Sequence, residues 1–373
     1  MAIKYYYIDD DPQSTIIETA KGLSIHPERL EISAFQHKNW DEQINFIIDN
    51  QDSIDGLLLD WSLSNKNEEG INANYNVEAL AQQLRRYIID TDKIKKDFPI
   101  VICSADYRFK EIFCQEITGH DLFDMVFEKD DFDSQQELII SQLEDLAISY
   151  KIISNDKSAK GIFRLDNLEL LDYRILDYVE TQVKQPTHEI ARFLLTKVIN
   201  TSGVLIDNYL LASRLGIDIV DTEDLTEWDK LLKILDKVRY EGVFSMGWSR
   251  WWMRKLNDFW EENFNCSIGS LSGEKKVELL NQKFELKLVP AVIRDKSTNS
   301  DFWVVCKKTK YPLSIDDAIL STTDVNKSSW EEDEYFSIDS ALVEDIKNIH
   351  VLEKERVKKL KELYTKVRQN ERK

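Results

Sequence analysis

Gly56-Leu57-Leu58-Leu59-Asp60 is a short apolar run closed by a single acid. Three other segments have the same form: Lys4-Tyr5-Tyr6-Tyr7-Ile8-Asp9-Asp10, Phe98-Pro99-Ile100-Val101-Ile102-Cys103-Ser104 and Leu122-Phe123-Asp124-Met125-Val126-Phe127-Glu128-Lys129. Short runs that are apolar on both alternating faces fit strands buried on both sides, as in a parallel sheet covered by helices. Each run ends in a polar or charged residue. The carboxyl edge of such a sheet, where ligands collect in open α/β folds, would therefore gather Asp9, Asp10, Asp60, Ser104 and Lys129.

A fifth strand candidate, Leu30-Glu31-Ile32-Ser33-Ala34-Phe35, alternates and takes the second strand position. Amphipathic stretches lie near 12–23, 40–50, 76–90, 106–117 and 133–151, so the first 150 residues read as five strand-helix units. The fold class expected is α/β, a five-stranded parallel, doubly wound sheet. Three carboxylates at one sheet edge repel each other, and a hard divalent cation with oxygen ligands relieves that repulsion.

The ordered set Asp9-Asp10, Asp60, Ser104-Ala105 and Lys129 resembles the receiver domain of two-component response regulators, a flavodoxin-like fold, over about residues 3–150. The resemblance implies that Asp60 accepts a phosphoryl group from a histidine kinase or phosphotransfer protein. It further implies that Asp9, Asp10 and Asp60 hold Mg2+, that Ser104 bonds a phosphoryl oxygen, and that Lys129 pairs with the phosphoryl charge. Three positions depart from the pattern. Lys129 is followed by Asp130 in place of proline; the usual aromatic three residues before the lysine is Val126, with Phe127 beside it; and the loop after Asp60 is long and Asn-rich up to Asn76. Such a loop can cover the site or serve as a partner surface. Asp11, Asp106, Asp130 and Asp131 read as solvated loop charges, with Asp11 and Asp106 close enough to the edge to tune metal or water access.

The net charge of −19 is unevenly spread. Residues 1–150 hold 30 acidic and 13 basic residues, which leaves the remainder close to neutral. Glu353 to Lys373 reverses the sign, with nine basic and four acidic residues and an apolar stripe of Val357, Leu360, Tyr364 and Val367. Cys103, Cys114, Cys266 and Cys306 lack CxxC spacing and read as reduced packing residues. With no signal-peptide pattern and no apolar run of membrane length, a cytoplasmic protein is expected, and two-component relays point to bacteria.

The polar segment Ser154 to Gly161 reads as a hinge. Expected domains are 1–152 (receiver), 153–161 (linker), 162–340 (a mainly helical α+β output or partner-binding domain) and 341–373 (a basic C-terminal helix). Helical periodicity covers 166–184, 188–200, 204–215, 225–241 and 247–263. Residues 283–294 and 301–308 read as a small β-hairpin, and a long helix starts near Ser340.

No family resemblance extends to this half. Leu211-Ala212-Ser213-Arg214-Leu215-Gly216-Ile217 resembles the start of a helix-turn-helix. The acids after it, Asp218, Asp221, Glu223, Asp224 and Glu227, would repel phosphates, so DNA is not the expected partner. Glu285-Leu286-Lys287 has the ExK spacing of metal-dependent nucleases without the further acid these need. The histidines His26, His37, His120, His188 and His350 form no ligand-spaced group. No separate enzymatic output is expected. Trp248, Trp252 and Phe259 share a helix face with Leu256 and read as core, whereas Trp251 with Arg250 and Arg254 reads as an outward patch for a protein partner. The functional expectation is a response-regulator-like phosphoacceptor with a non-enzymatic partner-binding module, in one variant a phosphoryl buffer in a defence-type relay. The alternative is a phosphorylation-controlled DNA-binding regulator.

Overall fold

The computed structural model describes residues 2–91, 93–105, 122–222, 224–294, 296–322 and 326–371, without the side chains of Asp133 and 366–371. The expected helix near 106–117, with Asp106, Cys114 and His120, lies outside the described residues, as does Glu223. The chain divides into two compact units. The first comprises residues 1–196 and 241–248, the second 197–240 and 249–373.

The first unit is built on five parallel strands: β1 (Ile3–Asp9), β2 (Leu30–Gln36), β3 (Gly56–Asp60), β4 (Ile100–Ser104) and β5 (Met125–Glu128). Their order in the sheet is β2-β1-β3-β4-β5. Every residue of β3 and β4 is buried, as their unbroken apolar character requires of central strands. Helix α1 (Gln13–Leu23) follows β1; one sheet face, with Ile8, Leu57, Leu59, Ile100 and Ile102, packs on α2 (Trp40–Asp49) and α3 (Val77–Asp90) through Ile44, Ile47, Leu80 and Leu84. On strand periodicity Tyr5, Tyr7, Leu58, Val101 and Cys103 take the other face, and all five are fully buried. Tyr5 reaches across to donate to the Leu143 carbonyl of the long helix Phe132–Asn155. Gly56, in register with Tyr5, makes room for that ring: a Cβ there would lie 2.2 Å from it.

The amino edge of the sheet is locked by a buried ionic network. Arg85 of α3 bonds Asp97 and Asp124, each at 2.9 Å, and donates to the Phe98 carbonyl at 2.8 Å. Tyr150 donates to Asp124, and His188 meets Asp97 at 2.7 Å. The two acids respond differently. Burial works against both charges, but His188 and Arg85 together hold Asp97 below its ordinary value, whereas at Asp124 burial wins and the pKa rises. His188 opens the helix Thr187–Leu194, so this network ties residues well beyond 161 to the sheet.

The expected linker is accordingly corrected. Ser154 and Asn155 finish the long helix, Ser158 caps the next helix Ala159–Phe163, and the first unit runs on to 196. The strap 241–248 also belongs to it. Asp145 accepts from the backbone N–H groups of Met246 and Gly247 at 2.8 and 2.7 Å, and Ser149 accepts from that of Phe244 at 2.7 Å.

The second unit is mainly helical, with three short antiparallel strand pairs: Leu205–Ile206 with Trp251–Trp252, Phe302–Val305 with Pro312–Ser314, and Ile319–Leu320 with Tyr335–Phe336. One apolar cluster in it joins Leu211, Leu215, Trp228, Leu231, Trp251, Leu256, Phe259, Trp260 and Leu280. Several local expectations change. A helix, Gly273–Phe284, ends where a strand was expected, with Glu285 in the left-handed region at φ 55°, so Glu285 and Lys287 lie on a loop and not on an ExK strand. The hairpin is instead formed by 302–305 and 312–314. The C-terminal helix is two helices, Ile338–Val343 and Lys354–Glu371, separated by a 3-10 turn at Ile346–Asn348.

The outward tryptophan patch is also corrected. Trp251 is 4 % exposed because Trp251–Trp252 form a strand rather than the start of a helix, and Arg250 is partly buried with its Nε donating to the Ile199 carbonyl at 2.6 Å. Arg254 alone of the three is exposed. Trp248, Trp252 and Phe259 are buried as expected, but only Phe259 and Leu256 share a helix, Met253–Phe264.

Candidate functional site

Parallel strands point the same way, so their carboxyl ends form one edge, and the chain places its acids there. Asp9 closes β1, Asp10 follows it, and Asp60 closes β3. One carboxylate oxygen from each of Asp9, Asp10 and Asp60 lies within 4.8 Å of the others, and all three residues are buried. Lys129, directly after β5, spans two of them: its Nζ is 2.8 Å from Asp9 Oδ2 and 3.0 Å from Asp60 Oδ1. Asp11 joins at 3.3 Å, close enough to the site to enter its charge balance, as expected of its position beside Asp9 and Asp10. Ser104 ends β4, one residue beyond the register pair Asp60 and Cys103, and is buried.

The electrostatics follow from burial and charge count. Burial first, then the Asp9 carboxylate, raise Asp60 from its ordinary 3.8 to about 6, while Lys129 and the Ser62 N–H pull it back. For Lys129, burial opposes the charge, but Asp60 and Asp9 outweigh it and hold the ammonium above its ordinary value. One ammonium thus faces several carboxylates. Such a buried excess of negative oxygens has the donor chemistry for a small, hard divalent cation.

Backbone and loop groups complete the site. The Ser62 N–H donates to Asp60 Oδ2 at 2.8 Å, and the Asn65 N–H donates to Asp10 Oδ2 at 2.6 Å. The Asn-rich loop therefore folds over the acids instead of standing away from them. Its Asn67, 8 % exposed, accepts from the N–H groups of Glu69 and Ile71 and donates to the His37 carbonyl. Asn76 then caps α3 by accepting from Ala79 N–H.

Two contributors went unnoticed in the sequence. Tyr7, fully buried, donates its hydroxyl to Asp9 Oδ2; burial first, then Cys103 and Asp9, keep that phenol protonated far above its ordinary range. The signal was available, since residues two apart on a strand share a face. His37, at the end of β2, bonds the Asn65 carbonyl at 2.9 Å.

After β5 the chain turns through a 3-10 segment, Lys129–Asp131, and no cis peptide occurs among the described residues. Val126 packs against the cluster of α2 and α3, whereas Phe127 is 3 % exposed and its ring meets Phe132 at 5.2 Å. The two neighbours therefore face opposite sides, as alternation requires.

In the second unit, Leu211 to Leu215 are all buried, and Asp218 is paired with Arg294 at 2.8 Å. No helix among the described residues is long and apolar enough to cross a membrane.

No family model matches this chain, and no curated protein does. Among solved structures, a pilus assembly-related protein from Burkholderia pseudomallei overlaps 37 % of this chain and 89 % of its own, at 13 % identity and a TM-score of 0.24. At that score the overlap has no weight for activity.

Proposed function

We propose that the first unit is a receiver-type phosphoacceptor in which Asp60 takes a phosphoryl group from a phosphohistidine of a kinase or phosphotransfer protein, with Mg2+ held by Asp9, Asp10 and Asp60. The observation that carries this reading is the convergence of those three carboxylates with the Lys129 ammonium bridging Asp9 and Asp60. Bound there, the cation would neutralise charge on the transferring group and on the carboxylates.

The chain's own residues supply the rest. An Asp60 carboxylate oxygen attacks phosphorus, the phosphorus–nitrogen bond of the donor breaks, and the imidazole leaves with its electron pair and is protonated from solvent. Burial excludes competing water and strengthens each electrostatic contact. The ionised form of Asp60 is the nucleophile; burial and Asp9 disfavour that form, and a cation bound there would favour it. In this reading Lys129 pairs with the added charge, and the hydroxyl of Ser104, at the adjacent strand end, donates to a phosphoryl oxygen. The second unit serves as a non-enzymatic partner-binding module in this reading.

Incubation of the full chain with a small phosphoramidate donor and Mg2+, followed by intact mass, tests the proposal. Wild type should gain one phosphoryl group, and Asp60→Asn should gain none. No mass gain in wild type, or an equal gain in Asp60→Asn, refutes it. A gain with no change in hydrodynamic size or in partner capture points to phosphoryl buffering rather than switching.

A further inference from the structure

His37 is fully buried next to the acidic edge, at a position where an apolar side chain would cost less. It follows Gln36, the register partner of Asp9, and its own backbone N–H donates to the Asp9 carbonyl at 3.0 Å. Its ring makes one hydrogen bond, Nε2 to the Asn65 carbonyl at 2.9 Å, while Nδ1 is buried with no hydrogen-bond partner. A carbonyl only accepts, so Nε2 carries the proton. The imidazole thus tolerates one unsatisfied nitrogen and delivers one donor to the loop.

What it grips matters. Asn65 is the same residue whose N–H donates to Asp10 Oδ2 at 2.6 Å. Fixing its carbonyl fixes the residue's backbone, and an amide on one oxygen of Asp10 sets the rotation of that carboxylate and hence the direction of the other oxygen. The His37 backbone reinforces the grip, because its carbonyl accepts from Asn67 Nδ2 at 3.0 Å. A hydrogen-bonded relay therefore runs from the imidazole through Asn65 to a member of the acidic triad.

We propose that His37 is a positioning residue for the cation site: through Asn65 it holds the loop over the sheet edge and orients Asp10, so cation binding and loop closure form one equilibrium. This rests on the reading that the acidic triad binds a divalent cation. Groups that orient ligands from outside the coordination sphere typically change metal affinity by about 10–100-fold when removed.

The test is binding of Mn2+, a spectroscopically visible probe, and of Mg2+ to the full chain by electron paramagnetic resonance and calorimetry. His37→Ala should weaken both by about 10-fold or more. His37→Gln, whose amide keeps an N–H donor, should restore most of the loss, which a purely structural role would not predict. Asn65→Pro deletes the N–H at an exposed loop position and should reproduce the weakening even if His37→Ala fails to fold. Mn2+ affinity within about two-fold of wild type in both His37→Ala and Asn65→Pro overturns the proposal, as do equal losses in His37→Ala and His37→Gln with the fold intact by circular dichroism. Absence of Mn2+ binding in wild type overturns the cation-site reading itself, and the inference with it.

Discussion

Replacing Asp60 by Asn should stabilise the first unit in the absence of metal, and by an amount that depends on pH in a defined way. The Asp60 carboxyl has an ordinary pKa of 3.8 and is raised to about 6 in the fold by burial and by Asp9. Its ionised form is therefore disfavoured in the folded state, and each tenfold change in proton affinity corresponds to about 1.4 kcal/mol. The gap amounts to about 3 kcal/mol. Between pH 3.8 and about 6 the folded chain binds more protons than the unfolded chain at this group, so stability from Asp60 is fully present below 3.8 and is lost as pH rises through 6. Asparagine mimics the protonated form and loses nothing. The difference between Asp60→Asn and wild type should be near zero at pH 4 and reach about 3 kcal/mol above pH 7, roughly 6–12 °C in the melting of a unit this size. Urea and thermal denaturation of both proteins in EDTA, from pH 4 to 8, measure it. A difference that is flat with pH, or an Asp60→Asn protein less stable than wild type at pH 7.5, would refute the electrostatic account of the site. Added Mg2+ should narrow the gap by stabilising wild type alone, since a ligand that binds only the folded state adds to its stability.

Other perturbations test the framework around the site. Arg85→Met leaves Asp97 and Asp124 buried without their shared cation and should cost about 3–5 kcal/mol by denaturant unfolding; a loss under about 1 kcal/mol would show the network to be dispensable. Asp145→Ala removes the acceptor of both Met246 and Gly247 N–H groups and should cost on the order of 2–4 kcal/mol. Its signature is faster hydrogen exchange across 241–248 while the sheet amides stay protected. Gly247→Ala places a Cβ 2.8 Å from the backbone Cα of Gln142 and should cost about 1–3 kcal/mol, again with exchange concentrated in that strap; an unchanged strap would contradict the packing described.

The parts of the fold that were legible in the sequence are those whose physics is local. Strands buried on both faces must be apolar throughout, and the four apolar runs together with the alternating run at 30–35 became the five strands, in the order that brings Asp9, Asp10, Asp60 and Lys129 to one edge. The residues that trim the site were not legible, because their partners are backbone groups or lie across the chain. Tyr7 reads as one more apolar strand position until its hydroxyl meets Asp9. His37 forms no spaced set with other histidines, since what it bonds is a peptide carbonyl in a loop that follows a different strand.

The second unit shows the same limit more severely. Helical periodicity through 247–263 put Trp251 on an outer face, but Trp251–Trp252 pairs as a strand with Leu205–Ile206, and that distant pairing reverses which side is buried. A side chain's direction is set by the element it belongs to. Where short strands and short helices alternate, one misassigned residue at a boundary turns the following face over. The first unit escapes this at its central strands β3 and β4, where burial on both faces makes direction irrelevant to the pattern. Its edge chemistry survives translation from sequence for that reason, whereas a partner surface on the second unit has to be read from the folded chain, where Arg254 is exposed and Trp251 is buried.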